Sequence, residues 1–383
     1  MYLPDYHGGS IVNLMSSIAK ACGGKNPYPQ LRNLSSDEIK KSKNIILLVI
    51  DGLGYEYLRN SNAKFLKMNM KDKMTSVFLP TTACATTTFQ TGVAPQQHAL
   101  TGWFMFLKEV GMITSILPFT ARIGGEVISQ SGIEIEKIFE ETAFTKKIKR
   151  KSVTLIPDFL LNSDFTKHVS ENSKMIPFTN LDNLFLKMKK AINNISGKKY
   201  IFAYWPNFDH FAHENGVGSE KVEKHLMKLD KKIKSLVQSI KNSNTTMIIT
   251  ADHGLLDIPK NRIIKLEDHP KLKECLTMSP CGEGRVAYLY VKPTKIKEFK
   301  KYIKDKLGNY CDLYKSSEII KKEYFGLGKP NPRLIDRIGD YILIMRENYL
   351  FKDEIEKNPH RFIGHHGGVS KEEMLVPLIV IKA

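Results

Sequence analysis

Four segments of the sequence supply carboxylate or imidazole side chains that could bind metal ions. Asp209 and His213 are four residues apart, which would place both side chains on one face of a helix. Asp252 and His253 are adjacent and precede Gly254, where the backbone could turn sharply and present both side chains. The segments offer oxygen and nitrogen ligands but no thiolate, which is typical of sites for borderline divalent cations. Their ligand-type residues are Asp51, Asp209, His213, Asp252, His253, His365 and His366.

Some of these segments also have an interpretation that involves no chemistry. Asp51 and Gly52 could form a turn or a helix cap, and Asp209 and His213 could lie on a solvated helix face. The histidine pair at 365–366 stands between glycines, and because such a segment packs no core, a ligand role is favoured. Taken together, the carboxylates and imidazoles predict two divalent ions per chain, with Zn²⁺ or Mn²⁺ as the metals that suit these ligands.

A threonine-rich segment, residues 78–92, could supply a nucleophile for chemistry at two metals. Two neighbouring cations can clamp the attacking and leaving oxygens of an in-line displacement. A threonine hydroxyl at a helix N-terminus that touches a cation would have a lowered pKa, and the helix N–H groups would bind phosphate oxygens. Pro80 is followed by Thr81 and Thr82, where such a helix could start. The alternative is that these threonines are caps and helix filler.

The elements that must position these residues can also be predicted. Short apolar runs at 44–50, 200–204 and 246–250 suit buried strands, and each is closely followed by a polar cluster. An amphipathic helix is predicted after Ser219, with apolar residues recurring at steps of three and four up to Ile240. Strands that alternate with helices indicate an α/β fold with a doubly wound, mostly parallel sheet, in which ligands bind at the carboxyl ends of strands.

The texture of the sequence changes after residue 265. We predict a metal-binding catalytic core at 1–265 and 360–383, interrupted by a smaller α/β cap domain at 266–359. Within the cap, 285–292 and 341–345 are predicted strands and 294–307 is a predicted helix. A second lid is predicted near 104–131.

Composition narrows the classes of partner. The 383-residue chain carries a net charge of +18, which suits anionic ligands, but its lysines are spread out and form no dense arm of the kind that wraps nucleic acid. The alternative is a solvated, lysine-rich surface.

The five cysteines of the chain favour a reducing compartment, with a Cys275–Cys281 bridge as the alternative. With no signal-like N-terminus and no membrane-length apolar run, the sequence predicts a soluble, cytoplasmic protein.

In these motifs the sequence resembles the type I phosphodiesterase/nucleotide pyrophosphatase branch of the alkaline phosphatase superfamily. The matching elements occur in order over most of the chain. They are residues 49–52, 80–82 with 91–92, Asp209 with His213, 250–254 and 366–368.

The resemblance implies the ligand sets and the reaction. Asp209, His213 and His366 would hold one metal, and Thr82 would reach the second, held by Asp51, Asp252 and His253. Thr82 would be the nucleophile, with Thr81 as the alternative, and would form a phospho-threonine intermediate. The implied activity is hydrolysis of phosphodiester or pyrophosphate bonds in a small phosphate-containing substrate, such as a nucleotide. The alternatives are a phosphomonoesterase, phosphonate hydrolase or phosphomutase of the same superfamily, or an inactive phospho-ligand or nucleic-acid binding protein.

The substrate contacts are less well defined by the resemblance. The family often carries an asparagine shortly after the Thr-Gly pair, but residues 98–103 contain none. Asn207, backbone N–H groups or basic residues of a lid would replace it, and His365 would lie close to the substrate. Trp103, Tyr204 and Trp205 could line a pocket for the second group of a diester, or could belong to the core. A monoester would ask for an arginine, and the candidates are Arg333, Arg337 and Arg361.

Overall fold

The structure is a computed structural model that describes residues 1–355 and 362–383. The strands in these ranges are, in chain order, β1 (Asn44–Ile50), β2 (Met70–Thr75), β3 (Phe104–Leu107), β4 (Met112–Ser115), β5 (Thr120–Ala121), β6 (Lys151–Pro157), β7 (Ser173–Phe178), β8 (Lys199–Trp205), β9 (Thr245–Thr250), β10 (Leu256–Asp257), β11 (Ile263–Lys265), β12 (Cys281–Gly282), β13 (Val286–Leu289), β14 (Cys311–Lys315), β15 (Tyr341–Met345), β16 (Leu350–Lys352), β17 (Gly364–His365) and β18 (Leu375–Lys382).

Helices connect most of these strands. The α-helices are α1 (Ile11–Ala21), α2 (Ser36–Ile39), α3 (Tyr55–Asn60), α4 (Lys64–Met68), α5 (Thr82–Thr91), α6 (Pro95–His98), α7 (Ile135–Ile138), α8 (Asp164–Val169), α9 (Leu181–Asn194), α10 (Asn207–Asn215), α11 (Glu220–Ser239), α12 (Pro270–Cys275), α13 (Ile296–Tyr302), α14 (Ser316–Lys321), α15 (Leu334–Arg337) and α16 (Lys371–Met374). A π-helical turn, Ile303–Leu307, continues α13, and short 3₁₀ turns cover Ile128–Ser131, Phe144–Lys146, Asp158–Leu160, Lys260–Arg262, Leu266–Asp268 and Pro293–Lys295.

The first sheet has seven strands in the spatial order β2–β18–β9–β1–β8–β6–β7. The five strands from β9 to β7 are parallel neighbours, whereas β18 runs antiparallel to both β9 and β2. Every residue of β1, β8 and β9 is buried, so helices and loops cover both faces of the sheet centre. This confirms the predicted α/β class with a mostly parallel central sheet.

The amphipathic helix α11 shows how the sequence pattern becomes packing. The Ser219 hydroxyl caps it by accepting from the Val222 N–H. Val222, Leu226, Leu229 and Ile233 are all buried, while lysines occupy the opposite face. The helix lies against α9, α10 and α4 and so helps to bury the sheet beneath them. The predicted helix is therefore confirmed.

The second sheet also has seven strands, in the order β14–β15–β13–β12–β3–β4–β5. All of its strand pairs are antiparallel. β3, β4 and β5 come from the predicted lid near 104–131, and the other four strands come from the predicted cap. The two segments therefore build one sheet, joined where β12 pairs with β3. The predicted domain boundary at 359–360 lies outside the described residues.

Two further sequence expectations can be compared with the structure. All five cysteines are buried and free, so the alternative of a Cys275–Cys281 bridge is wrong. Across the described ranges, none of the helices is long and apolar enough to span a bilayer.

Candidate active site

The predicted ligands meet at one edge of the first sheet. Asp51 directly follows β1, and Asp252 and His253 follow shortly after β9. Asp209 and His213 lie one turn apart on α10, which begins just after β8. Because β8, β1 and β9 are neighbouring parallel strands, their carboxyl ends bring these side chains together.

His366 reaches the same place through β17, which pairs with β10 and contacts α10. The His213 Nδ1–H donates to the carbonyl oxygen of Gly364 at 2.7 Å. A Cβ atom at Gly364 would lie 2.6 Å from the Ala212 carbonyl oxygen, so this close approach requires glycine. The His366 ring then stacks on the His253 ring, with 3.9 Å between centroids.

These side chains form two overlapping groups of metal-type ligands. In one group, Asp51, Asp252 and His253 each place a ligand atom within 4.8 Å of the others. In the second group, Asp209, His253 and His366 do the same. His213 Nε2 lies 3.1 Å from Asp209 Oδ2, so His213 borders the second group, in which His253 takes the place that the resemblance gave to His213. The role of His213 as a ligand stays a prediction. His253 is common to both groups, so the two groups of ligands are adjacent.

Several of these ligands are held by one atom while another points into the cluster. Asp252 Oδ1 accepts from the N–H groups of Gly52 and His253, each at 3.0 Å. The Tyr204 hydroxyl donates to Asp51 Oδ2. The His253 Nδ1–H donates to the Gly254 carbonyl oxygen at 3.2 Å, which directs Nε2 to the acids. Such outer contacts are the usual way in which metal ligands are oriented.

Four other ligand atoms have no hydrogen-bond partner in the described part of the chain. They are Asp51 Oδ1, Asp209 Oδ1, Asp252 Oδ2 and His366 Nδ1. Buried polar atoms are normally hydrogen-bonded, and each exception calls for an explanation. Four such atoms in one cluster of carboxylates and imidazoles are what divalent cations would satisfy. The residues present therefore fit the predicted metals.

The electrostatics of the cluster lead to the same conclusion. Burial raises the pKa of Asp51 well above its usual value, and repulsion by Asp252 and Asp209 adds to this. Burial also opposes the charged form of Asp209, but the neighbouring His213 lowers its pKa below the usual value. The pKa of His366 is lowered by burial and by the adjacent His253. The lowered pKa keeps His366 in the neutral form that binds a divalent cation, and such a cation would offset the repulsion among the acids.

The threonine segment places one hydroxyl against this cluster. Thr81 is the N-cap of α5 and Thr82 is its first residue. Thr82 Oγ1 lies 3.2 Å from His253 Nε2, whereas the Thr81 hydroxyl donates to Glu283 Oε1 at 2.6 Å. The geometry therefore favours Thr82 over Thr81 as the residue that would attack a bound phosphoryl group.

A cavity of about 490 Å³ opens over the cluster and extends to the second sheet. Thr82, Asp209 and His366 line it, and so does the ion pair between Arg122 and Asp353, which are 2.5 Å apart. The cavity offers a compartment for a group attached to a phosphate. Its aromatic lining residues are Trp103, Phe104, Phe351 and Phe362.

Comparison with known proteins assigns the family. Residues 45–369 match the sequence model of the type I phosphodiesterase / nucleotide pyrophosphatase family. The chain belongs to this family. The match includes every predicted metal ligand and Thr82, and membership supports a hydrolase of the phosphodiesterase and pyrophosphatase type.

Solved structures of several proteins share the fold of this chain. Murine ectonucleotide pyrophosphatase / phosphodiesterase 5 is 20% identical with a TM-score of 0.68, and the match covers 87% of each chain. Its human counterpart is 18% identical with a TM-score of 0.66, and covers 88% of this chain and 87% of that one. Phosphonoacetate hydrolase from Sinorhizobium meliloti is 15% identical with a TM-score of 0.63, and covers 89% and 90%.

Glu283 is a residue of the site that the sequence analysis missed. Its Oε1 accepts from the Thr81 hydroxyl and from the Trp103 N–H at 3.1 Å. Burial raises its pKa to about 7, and these two hydrogen bonds act in the opposite direction. Gly282 and Gly284 flank it, so the sequence did contain a signal: like the histidine pair at 365–366, it is a polar residue between glycines.

The predicted substrate contacts have different outcomes. His365 lines the cavity, and burial lowers its pKa to about 4. Asn207 begins α10 and remains a prediction. The prediction for Trp205 is wrong, because its ring is buried, stacks on Phe178, and donates its Nε1–H to His225 Nε2 at 3.0 Å. The side chain of Trp205 therefore belongs to the core rather than to the cavity.

Two of the candidate arginines are bound elsewhere. Arg337 is buried and pairs with Glu109 at 2.9 Å, and Arg333 pairs with Glu109 at 3.1 Å and with Glu140 at 3.0 Å. Both lie in a structural network around the second sheet. The third candidate, Arg361, lies outside the described residues.

Proposed function

We propose that this protein is a metal-dependent hydrolase of phosphodiester or pyrophosphate bonds that uses Thr82 as its nucleophile. The observation that carries the proposal is the position of the Thr82 hydroxyl, 3.2 Å from His253 Nε2, at the edge of a cluster of unpartnered ligand atoms. Thr82 and His366 line the same cavity. Family membership supports the reaction class.

The chain's own residues would divide the work as follows. Asp51, Asp252 and His253 would hold one divalent ion beside Thr82, and Asp209, His213 and His366 would hold the other. When bound, the two ions would lower the pKa of the Thr82 hydroxyl and neutralise charge on the attacking and leaving oxygens. We propose Zn²⁺ or Mn²⁺, because the ligands are carboxylates and imidazoles.

The start of α5 would bind the phosphoryl group. Thr81 caps this helix without a side-chain hydrogen bond to it, so the first N–H groups, at Thr82 and Ala83, remain open to an anion. These N–H groups would replace the asparagine that the family often carries. Attack by Thr82 Oγ1 on phosphorus would form the Thr82 phosphoester and release the alcohol or phosphate leaving group. Water would then break that ester and regenerate the hydroxyl.

Diesters and pyrophosphates are preferred to monoesters in this proposal. A monoester brings an additional negative charge that asks for a cationic partner. Arg122, which lines the cavity, is already paired with Asp353, and Arg333 and Arg337 pair with other acids. The cavity has room for the second group of a diester.

A small phosphate-containing substrate, such as a nucleotide, fits this interpretation. An inactive threonine-to-alanine form of the murine protein, 20% identical to this chain with a TM-score of 0.66, was solved in complex with AMP; the match covers 87% of each chain. Phosphonoacetate hydrolase was solved with phosphonates. We further propose a reducing compartment such as the cytoplasm, which is supported by five buried, free cysteines.

The test is hydrolysis by the metal-reconstituted protein of an aryl phosphodiester and of the monoester with the same leaving group. We expect the diester to have the higher kcat/KM. Higher kcat/KM on the monoester would indicate a phosphatase instead. No turnover on any ester, with metal and phosphate bound, would indicate a binding protein.

A further inference from the structure

Glu283 connects the second sheet to the start of the nucleophile helix. It follows β12 directly, and its Oε1 accepts from the Thr81 hydroxyl at 2.6 Å and from the Trp103 N–H at 3.1 Å. Its Cβ and Cγ atoms pack closely against Gly367, where an added Cβ would lie 2.9 Å from each of them. The carboxyl group is therefore fixed from three sides.

The second oxygen of this carboxyl group is not used by the protein. Both hydrogen bonds end on Oε1, and no residue in the described ranges donates to Oε2. Glu283 lines the same cavity as Thr82 and His366. A fixed carboxyl group thus lies beside the place where the phosphoryl group would bind, and its Oε2 could interact electrostatically with that group.

We propose that Glu283 is a specificity-determining residue that excludes phosphomonoesters by charge repulsion. The inference rests on the proposed function. A bound diester carries one negative charge at phosphorus, whereas a monoester above neutral pH carries close to two. A fixed carboxylate repels the more highly charged group more strongly, and water screens the repulsion less because Glu283 is half-buried. Selection would thus come from the second sheet and not from the metal ligands.

Glu283→Gln is the direct test. The amide oxygen can still accept from Thr81 and Trp103, so the substitution removes the charge and keeps both hydrogen bonds. Assays are run with metal-reconstituted protein at about pH 9, where a carboxyl group with a pKa of about 7 is ionised. We expect the ratio of monoester to diester kcat/KM to rise at least about tenfold. The free energy of such a change is smaller than the repulsion between two neighbouring like charges. Inhibition by inorganic phosphate should strengthen in parallel.

Two control variants separate charge from position and from folding. Thr81→Val removes one of the two hydrogen bonds to Oε1 and keeps the carboxylate, so activity should fall without a rise in the ratio. Glu220→Gln removes one negative charge on the exposed surface, where Glu220 pairs with Lys224, and should leave the ratio unchanged. The phosphate inhibition constant gives the same answer for a variant with weak turnover.

The outcomes distinguish this inference from the proposed function. A raised ratio in Glu283→Gln alone supports charge selection. An unchanged ratio, with wild-type diester hydrolysis intact, overturns the role of Glu283 and leaves the proposed function standing. If the wild-type protein hydrolyses neither ester, the proposed function fails, and this inference fails with it.

Discussion

Thr82 and His253 come from segments 171 residues apart, yet Oγ1 and Nε2 lie within hydrogen-bond distance. The neighbouring hydroxyl of Thr81 is engaged by Glu283 and faces a different partner. At the scale of single residues, two threonines with the same side chain therefore differ in their hydrogen-bond partners. That difference can be measured.

We predict that Thr82→Ala lowers diester kcat by at least about 10³, because it removes the activated nucleophile. Thr81→Ala should lower it much less. Steady-state kinetics with elemental analysis checks this, since both variants should keep their metals. Greater sensitivity at Thr81 would show that the nucleophile is misassigned by one residue.

The hydrogen bond from Tyr204 to Asp51 gives a second prediction at this scale. In Tyr204→Phe, Asp51 loses the hydroxyl that orients its carboxylate, and we expect metal affinity to fall about 10–100-fold. Tyr200→Phe on the same strand is the matched control, because the buried Tyr200 hydroxyl has no partner among the described residues. Metal titration followed by isothermal calorimetry measures both. Equal affinities would mean that the Tyr204 contact does not orient the ligand.

Secondary-structure elements decide how the second ligand group is assembled. α10 carries Asp209 and His213, while β17 delivers His366, and the two elements are joined through Gly364. The group thus depends on the close approach of one short strand to one helix.

We predict that Gly364→Ala removes one metal and keeps the other. The new Cβ would meet the Ala212 carbonyl oxygen at 2.6 Å, which would push β17 and His366 away from α10. Elemental analysis should then fall from about two ions per chain to about one. Gly218→Ala is the control, since a Cβ there has nothing within 4 Å. Two ions retained in Gly364→Ala would mean that His366 is not needed for binding.

On the scale of the whole molecule, a buried ion pair ties the two sheets together. Arg285, directly before β13, binds both carboxylate oxygens of Glu373 on α16 at 3.0 Å each. Both side chains are almost fully buried. Glu373 also accepts from the Gly368 N–H at 2.8 Å, close to His366. The pair therefore supports the segment that carries a predicted ligand.

We predict that Arg285→Met destabilises the protein by about 3–5 kcal/mol, because it leaves the Glu373 carboxylate buried without its partner. Arg346→Met, which breaks the more exposed pair with Asp312, should cost about 1 kcal/mol or less. Urea denaturation of the two variants compares the free energies of unfolding. Similar losses in both would contradict a special role for the buried pair.

Local patterns in the sequence determined three central strands of the first sheet and most of the predicted metal ligands. β1, β8 and β9 were predictable because each is a continuous apolar run, and they are followed within a few residues by Asp51, Asp209 and Asp252 respectively. Asp209 and His213 were predictable because helical spacing alone places them together. These features depend on neighbours along the chain, so they can be read without knowledge of the packing.

Only the tertiary structure decided which distant groups meet. Trp205 is a residue type that often lines pockets, but here it belongs to the core because Phe178 and His225 pack against its ring. Residues 104–121 and 281–345 form one sheet because the single pair between Gly282 and Phe104 joins their strands. Glu283 reaches Thr81 across 202 residues, a contact set by how the two sheets pack. Sequence spacing carries no information about such contacts, because they depend on packing between segments that are remote along the chain.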